Sequence, residues 1–280
     1  MILGELIRKT ERRLRAARLH YGHGTDNPRD EAAFLVLRGL GLGFDAGLDA
    51  QVDAKRVEPL VSRRIKERIP AAYLLNEAWL DGVPFYVDRR VIVPRSHIAF
   101  LLKKLPAPQR VLDLCTGSGC LAILAARAFP RARVDASDIS GDATAVARRN
   151  VKRHRLAGRV RVVRTDLFTR LGQYDLILAN PPYVSTPSMR KLPPEYRHEP
   201  GLALGAGREG LDFVARILAA APRHLKPGGL LVCEVGENRK AVERAYAATA
   251  FQWPRDEVFM LPRARIPRAC RAAPRRRRAS

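Results

Sequence analysis

An amide, two prolines and an aromatic ring follow one another in Asn180-Pro181-Pro182-Tyr183, directly after Asp175 and the apolar stretch 176–179. That stretch predicts a strand buried on both faces. Proline cannot donate to a sheet ladder, so the strand must end there, at the edge of an open α/β sheet where ligands bind. The side-chain oxygen of Asn180 and the carbonyl of Pro181 could each accept one hydrogen of a planar amino group, while Tyr183 packs on its face. Such a clamp would orient a poorly nucleophilic amide nitrogen for group transfer; the alternative is a plain strand stop with a turn.

A second group of residues lies at a predicted strand–turn–helix junction, 111–120, which contains Thr116-Gly117-Ser118-Gly119. Gly117 and Gly119 would let the backbone approach a ligand that a Cβ would block, and the helix amino terminus favours a negative group such as a carboxylate. The dinucleotide-binding fingerprint fails, because its third glycine position is Ala122. An ordinary βα turn is the alternative.

Acidic residues end the next two predicted strands. Asp138 could accept both hydroxyls of a ribose, although it could instead cap the following helix. Asp166 is followed by Leu167, a pair that suits an adenine: the carboxylate accepts the exocyclic amine and the apolar side chain packs on the ring. A turn or cap acid is the alternative for Asp166. Together these features describe a nucleoside that carries an amino-acid carboxylate.

The elements that must position these residues alternate between strand and helix from Arg110 onward. This alternation predicts an α/β fold with a doubly wound parallel sheet and right-handed crossovers. The predicted strands are 111–114, 132–137, 160–163, 175–179, 230–235 and a short last strand, 258–261, with little room for an edge strand before it.

The part of the chain before Arg110 has a different pattern of predicted elements. Residues 1–76 predict a small helical domain, in which Asn27-Pro28 opens one helix. Residues 77–95 predict a β-hairpin linker around Asp81-Gly82. The catalytic domain is predicted over 96–262, where Ser96 caps a helix, and 263–280 is predicted to be a disordered basic tail with eight arginines and no acid.

The formal net charge is +23. A basic surface predicts contact with ribosomal RNA or the ribosome, but 42 of the 51 basic residues are Arg, which an arginine-favouring genome also produces. The four cysteines lack metal-ligand and CxxC spacing, so we predict a reduced, cytoplasmic protein without a metal site. We see neither a signal peptide nor a membrane span.

The arrangement at the strand ends resembles class I S-adenosylmethionine-dependent methyltransferases, whose fold is Rossmann-like. Asn180-Pro-Pro-Tyr183 resembles the subgroup that methylates planar amino nitrogens of adenine, guanine or glutamine. Longer matches resemble the protein-glutamine methyltransferases, in the branch that modifies the third protein of the large ribosomal subunit. These matches are Pro70-Ala-Ala-Tyr-Leu-Leu-Asn-Glu-Ala-Trp79, Phe85-Tyr-Val-Asp88, Val91-Ile-Val-Pro-Arg-Ser96, Asp113-Leu-Cys-Thr-Gly-Ser-Gly-Cys120 and Leu192-Pro-Pro-Glu-Tyr-Arg-His-Glu-Pro200.

The resemblance implies S-adenosylmethionine as cofactor, a ribosomal protein as partner, and supporting roles for Arg95 and Glu199. It also implies that the helical domain 1–76 recognises the substrate. Release factors, the substrates of the sister branch, and a nucleobase amine are the alternative acceptors. The resemblance implies that Asn180, Pro181 and Tyr183 are the catalytic residues, and that Pro182 joins them in binding the acceptor. The cofactor-binding residues would be Asp113, Thr116, Gly117, Ser118, Gly119, Asp138, Asp166, Leu167 and Asn180.

Overall fold

A computed structural model describes residues 1–267 of the chain. It divides into two compact units. The first comprises 1–95 together with 192–200, and the second comprises 96–191 together with 201 onward. The segment 192–200 is therefore an excursion: the chain leaves the second unit after Lys191, contributes nine residues to the first, and returns at Gly201.

The first unit is mainly helical. Helix α2 begins where the sequence predicts, because the Asn27 side chain accepts a hydrogen bond from Asp30 N, and it ends at Gly41, which adopts a left-handed φ of 78°. The Asp81-Gly82 turn has positive φ at both positions, as a two-residue hairpin requires. The elements are α1 Leu3–Ala16, α2 Pro28–Leu40, α3 Glu58–Lys66, α4 Ala71–Leu75, β1 Ala78–Leu80 and β2 Val83–Phe85.

The second unit contains a seven-stranded sheet with helices between its strands. The elements are β3 Arg110–Leu114, α5 Cys120–Ala128, β4 Arg133–Asp138, α6 Gly141–Arg153, β5 Val160–Arg164, β6 Tyr174–Ala179, α7 Thr186–Met189, α8 Asp212–His224, β7 Leu225–Glu234, α9 Arg239–Ala245, β8 Gln252–Arg255 and β9 Val258–Pro262. The predicted capping residues act as expected: Ser140 caps α6, and Ser96 caps a 3-10 helix over 97–104.

The strand order is β5-β4-β3-β6-β7-β9-β8. Strands β3 to β7 pair in parallel, and β9 runs antiparallel to both β7 and β8. The sheet grows outward in both directions from the β3–β6 pair, where a topological switch point places ligands at the carboxyl ends of the strands. The predicted α/β, doubly wound fold with a helical amino-terminal part and a hairpin is confirmed.

The apolar run of β6 is buried as predicted, and α8 covers one face of the sheet through Val214, Ile217 and Leu218. The register aligns Leu114 with Ala179 and with Ser137. The residues that follow β3, β4 and β6 therefore emerge at one edge.

Three features of the carboxyl-terminal part differ from expectation. An edge strand, β8, does precede β9, because the two residues between them suffice for a hairpin turn. Strand β7 begins at Leu225, earlier than predicted, with a register shift opposite 174–176. Residues Arg263–Arg265 form a 3-10 turn and Ile266 is 2% exposed, whereas the rest of the predicted tail, 268–280, lies outside the described residues.

In residues 1–267, no helix is long and apolar enough to cross a membrane. The division between 1–76 and 77–95 within the first unit stays a prediction.

Candidate active site

The predicted acceptor clamp lies directly after β6. Asn180 is half-buried, and Pro181 and Pro182 are buried. Within the described chain, neither the Asn180 side chain nor the Pro181 carbonyl has a hydrogen-bond partner. A polar side chain without a partner at the end of a buried strand is available to a ligand, and the two oxygens are the acceptors that an NH2 group requires.

Tyr183 is held by residues that the sequence did not single out. Asn238 Nδ2 donates to the Tyr183 carbonyl at 2.7 Å. A Cβ on Gly236 would lie 2.6 Å from Tyr183 Cε2, and a Cβ on Gly210 would lie 2.4 Å from its carbonyl oxygen. The Tyr183 ring and backbone therefore rest against two positions where only glycine fits. A sequence signal was available, since Gly236 and Asn238 come just after the apolar strand β7.

The glycine loop follows β3, and its two glycines differ in their surroundings. Gly117 has a φ of 53° and nothing within 4 Å of the position a Cβ would take, which leaves space for a ligand. A Cβ on Gly119 would lie 3.2 Å from the Ala147 side chain on α6, so this glycine serves helix packing. Ser118 is 3% exposed, and its carbonyl accepts from Asn150 Nδ2 at 2.8 Å.

Asp113 is a buried carboxylate with one unpartnered oxygen. The carboxylate is 1% exposed, and its Oδ2 accepts from the Thr116 hydroxyl and from Ala122 N. Its Oδ1 is buried and has no hydrogen-bond partner in the described chain. Burial raises the pKa of Asp113 to about 7. A donor that carries positive charge, such as the ammonium of an amino-acid cofactor, would satisfy this oxygen.

Asp138 bridges two backbone segments at the end of β4. Its Oδ2 accepts from Gly117 N at 3.0 Å, and its Oδ1 accepts from Ser140 N at 2.9 Å. Burial raises the pKa of this carboxyl group. Each oxygen retains a second lone-pair direction, so the carboxylate fits two ribose hydroxyls while fixing the loop.

The third strand end is different. Both oxygens of Asp166 accept from Arg216 Nη2, at 2.8 and 2.7 Å, and Leu167 is 8% exposed within the hydrophobic core. An adenine amine would therefore share Asp166 with Arg216. The adenine-binding role of these two residues stays a prediction.

The excursion 192–200 is fixed to the first unit by two glutamates. Glu195 is 0% exposed, accepts from His20 N at 2.9 Å and pairs with Arg68 at 2.7 Å. Glu199 is 5% exposed and pairs with both terminal nitrogens of Arg95, at 2.6 and 2.7 Å. The supporting roles that the resemblance implies for Arg95 and Glu199 correspond here to a bidentate ion pair within the first unit.

A doubly wound sheet with a glycine loop at its switch point, and acids after the neighbouring strands, defines a class I S-adenosylmethionine-dependent methyltransferase. The family model described as methyltransferase small domain matches residues 97–191. Ribosomal protein uL3 glutamine methyltransferases are similar over most of the chain. The protein of that name from Bordetella pertussis is 50% identical over 94% of this chain and 96% of its own. Those from Bradyrhizobium diazoefficiens and Neisseria meningitidis are 48% and 45% identical, over 89% and 94% of this chain and 85% and 93% of theirs.

The chain belongs to the family of ribosomal protein uL3 glutamine methyltransferases. The resemblance on which the sequence analysis depends is thereby confirmed, and with it the enzyme class and S-adenosylmethionine as cofactor.

Proposed function

We propose that this protein methylates the side-chain amide nitrogen of one glutamine in ribosomal protein uL3. The observation that carries the proposal is the pair of partnerless acceptors at the carboxyl end of β6, Asn180 Oδ1 and the Pro181 carbonyl. The names of its relatives support glutamine of uL3 as the acceptor rather than a release factor or a nucleobase.

The acceptor clamp has to solve one chemical problem. The lone pair of an amide nitrogen is delocalised into its carbonyl, so this nitrogen is a poor nucleophile. Two hydrogen-bond acceptors at fixed angles hold the NH2 group in one orientation and favour the positive charge that develops on nitrogen during transfer. Because Pro181 and Pro182 are buried, the two acceptors are held without a further conformational cost.

Tyr183 supplies the flat surface on which the glutamine amide packs. Gly236 and Asn238 position this tyrosine from the loop after β7. S-adenosylmethionine, when bound, supplies an activated methyl group. Asp113, Gly117 and Asp138 are the residues that would hold it, and the surplus proton on nitrogen passes to water after transfer.

The first unit is the proposed recognition domain for the ribosomal protein. The +23 charge of the whole chain also fits a substrate that is bound to ribosomal RNA. A cytoplasmic location belongs to the same proposal, because uL3 is made and assembled there.

A transfer assay with labelled cofactor tests the proposal. Purified uL3, a peptide-chain release factor and ribosomal RNA are offered separately to the same enzyme. Label in uL3 alone is expected. Label only in the release factor, or label that ribonuclease removes, would replace uL3 with one of the alternative acceptors.

The Asn180→Ala variant tests the proposed clamp. It is expected to lose transfer by about 100-fold or more while retaining much of its cofactor affinity, because it removes one of the two oriented acceptors. Calorimetric binding of S-adenosylmethionine by the variant is the control for folding. Full activity in this variant would contradict the clamp.

A further inference from the structure

The first unit contains a cavity of about 200 Å³ that plays no part in the proposed transfer chemistry. It opens to the surface. His23 forms the floor of the cavity. The walls are the aromatic side chains of Phe34, Phe44 and Trp79, and the polar rim consists of Thr25 and Asp30.

His23 is an unusual floor for such a cavity. The side chain is 3% exposed, and neither ring nitrogen has a hydrogen-bond partner among residues 1–267. Glu199 Oε2 lies 3.8 Å from His23 Nε2, which is too far for a hydrogen bond. Burial lowers the pKa of His23 to about 4, so at neutral pH the ring is uncharged and one nitrogen is a hydrogen-bond acceptor. A buried polar group without a partner is costly, and a ligand that donates to it removes that cost.

The aromatic walls are held in place before any ligand arrives. The rings of Phe44 and Trp79 meet edge to face, with centroids 5.2 Å apart. Trp79 Nε1 donates to Glu77 at 2.9 Å, and Arg38 forms two hydrogen bonds to the same carboxylate. Phe44 is nevertheless 54% exposed, which is unusual for a residue so firmly held. Ring faces attract cations, and the Phe44 ring already faces one, since the guanidinium carbon of Arg38 lies 5.9 Å from its centroid.

The rim of the cavity includes a negatively charged side chain, Asp30. The carboxylate of Asp30 accepts from the neutral amide of Asn27, and no basic side chain pairs with it in the described residues. The neighbouring loop, 42–53, contains three aspartates and neither Lys nor Arg, although the whole protein carries +23. A carboxylate without a basic partner attracts a basic side chain.

We propose that this cavity binds a basic side chain, Arg or Lys, of the substrate protein. The aliphatic stem contacts Phe34 and Trp79, the charged end donates to His23 at the floor, and Asp30 at the rim attracts the cation electrostatically. This inference rests on the proposed function, since a protein that binds ribosomal RNA presents many basic side chains. The cavity would thus recognise the substrate at a point separate from the reacting glutamine.

Kinetics with uL3 test the role of the cavity. Asp30→Asn keeps the shape of the side chain and is expected to raise KM for uL3 about three- to fivefold with kcat nearly unchanged. Trp79→Leu is expected to raise KM roughly tenfold. Asp256→Asn, which removes an 84% exposed carboxylate in the second unit, is the charge-matched control. Unchanged KM in both cavity variants, with wild-type transfer intact, would overturn the inference and leave the proposed function standing.

A direct binding measurement is independent of the transfer reaction. Trp79 and Trp253 are the two tryptophans of the chain, so the Trp253→Phe variant reports fluorescence from Trp79 alone. N-acetyl-arginine amide should change this signal saturably, and N-acetyl-citrulline amide, its neutral analogue, should not. Asp30→Asn should weaken the arginine response. Equal effects of the two compounds, including none, would overturn the cationic class of ligand. If the fluorescence of Trp79 responds to N-acetyl-arginine amide but the enzyme transfers no methyl group to uL3, only the proposed function is refuted.

Discussion

Replacing Gly236 with alanine tests whether the position of Tyr183 governs catalysis. Carbon atoms pack best at about 3.5–4.0 Å, whereas the new Cβ would lie 2.6 and 2.8 Å from Cε2 and Cδ2 of the tyrosine ring. The ring must therefore move by about 1 Å. A displacement of that size at a positioning residue costs about 100-fold in rate.

The substitution has a second effect, which a matched variant isolates. Gly236 has a φ of 54°, so alanine there is strained by about 1–2 kcal/mol whatever its neighbours. Gly228→Ala carries a similar strain, with a φ of 76°, but nothing lies within 4 Å of its new Cβ. Urea denaturation should show a loss of stability in both variants, with an additional loss of about 1–3 kcal/mol in Gly236→Ala from the displaced ring.

Steady-state transfer to uL3 then distinguishes them. Gly228→Ala should retain nearly all of its kcat, and Gly236→Ala should lose about 100-fold. Cofactor binding should be similar in both. Equal kcat in the two variants would refute the idea that the ring is held in place by the glycine beneath it.

Three further predictions concern burial and charge. Glu199→Gln breaks the buried ion pair with Arg95 and should lower the free energy of unfolding by about 3–5 kcal/mol in chemical denaturation. Glu58→Gln breaks an exposed pair and should cost less than about 1 kcal/mol. Similar losses in the two variants would refute the idea that Glu199 fixes the segment 192–200. Asp113, whose pKa is raised to about 7, must ionise to bind a cationic group. Cofactor affinity, measured by calorimetry, should therefore rise about tenfold from pH 6 to pH 8. A similar rise in the Asp113→Asn variant would contradict this role. The pKa of His23 falls from 6.5 to about 4 on folding, so the neutral ring contributes stability above pH 6.5 that is lost as the pH falls through 4, by roughly 3 kcal/mol in total. The free energy of unfolding of His23→Asn should lack this part of the pH dependence. A pH dependence equal to that of the wild type would contradict the lowered pKa of His23.

Local signals in the sequence predicted the parts of the molecule that depend on neighbouring residues. The caps at Asn27, Ser96 and Ser140, the hairpin turn at Asp81-Gly82 and the end of β6 at Asn180 each follow from the chemistry of a few adjacent side chains. The strand alternation then fixed which strand ends share an edge.

Contacts between distant residues could not be predicted in this way. Asn238 supports Tyr183 across 55 positions of sequence, and the ion pair between Arg95 and Glu199 spans 104. Nothing in the composition of 192–200 indicates that it packs with the first unit. The close packing of Gly119 on Ala147 could not be predicted either, because a glycine needed for helix packing and one needed for ligand approach have the same sequence pattern; the cofactor-binding role of Gly119 stays a prediction.

The central claim is that Asn180 and Pro181 present a glutamine amide of uL3 to the methyl donor. Tandem mass spectrometry of uL3 after incubation with the enzyme and S-adenosylmethionine tests it most directly. The account predicts one added methyl group, located on a glutamine side-chain nitrogen, and its absence when Asn180→Ala replaces the wild-type enzyme. A methyl group on another residue type, or the same modified glutamine at full yield with the variant, would contradict it.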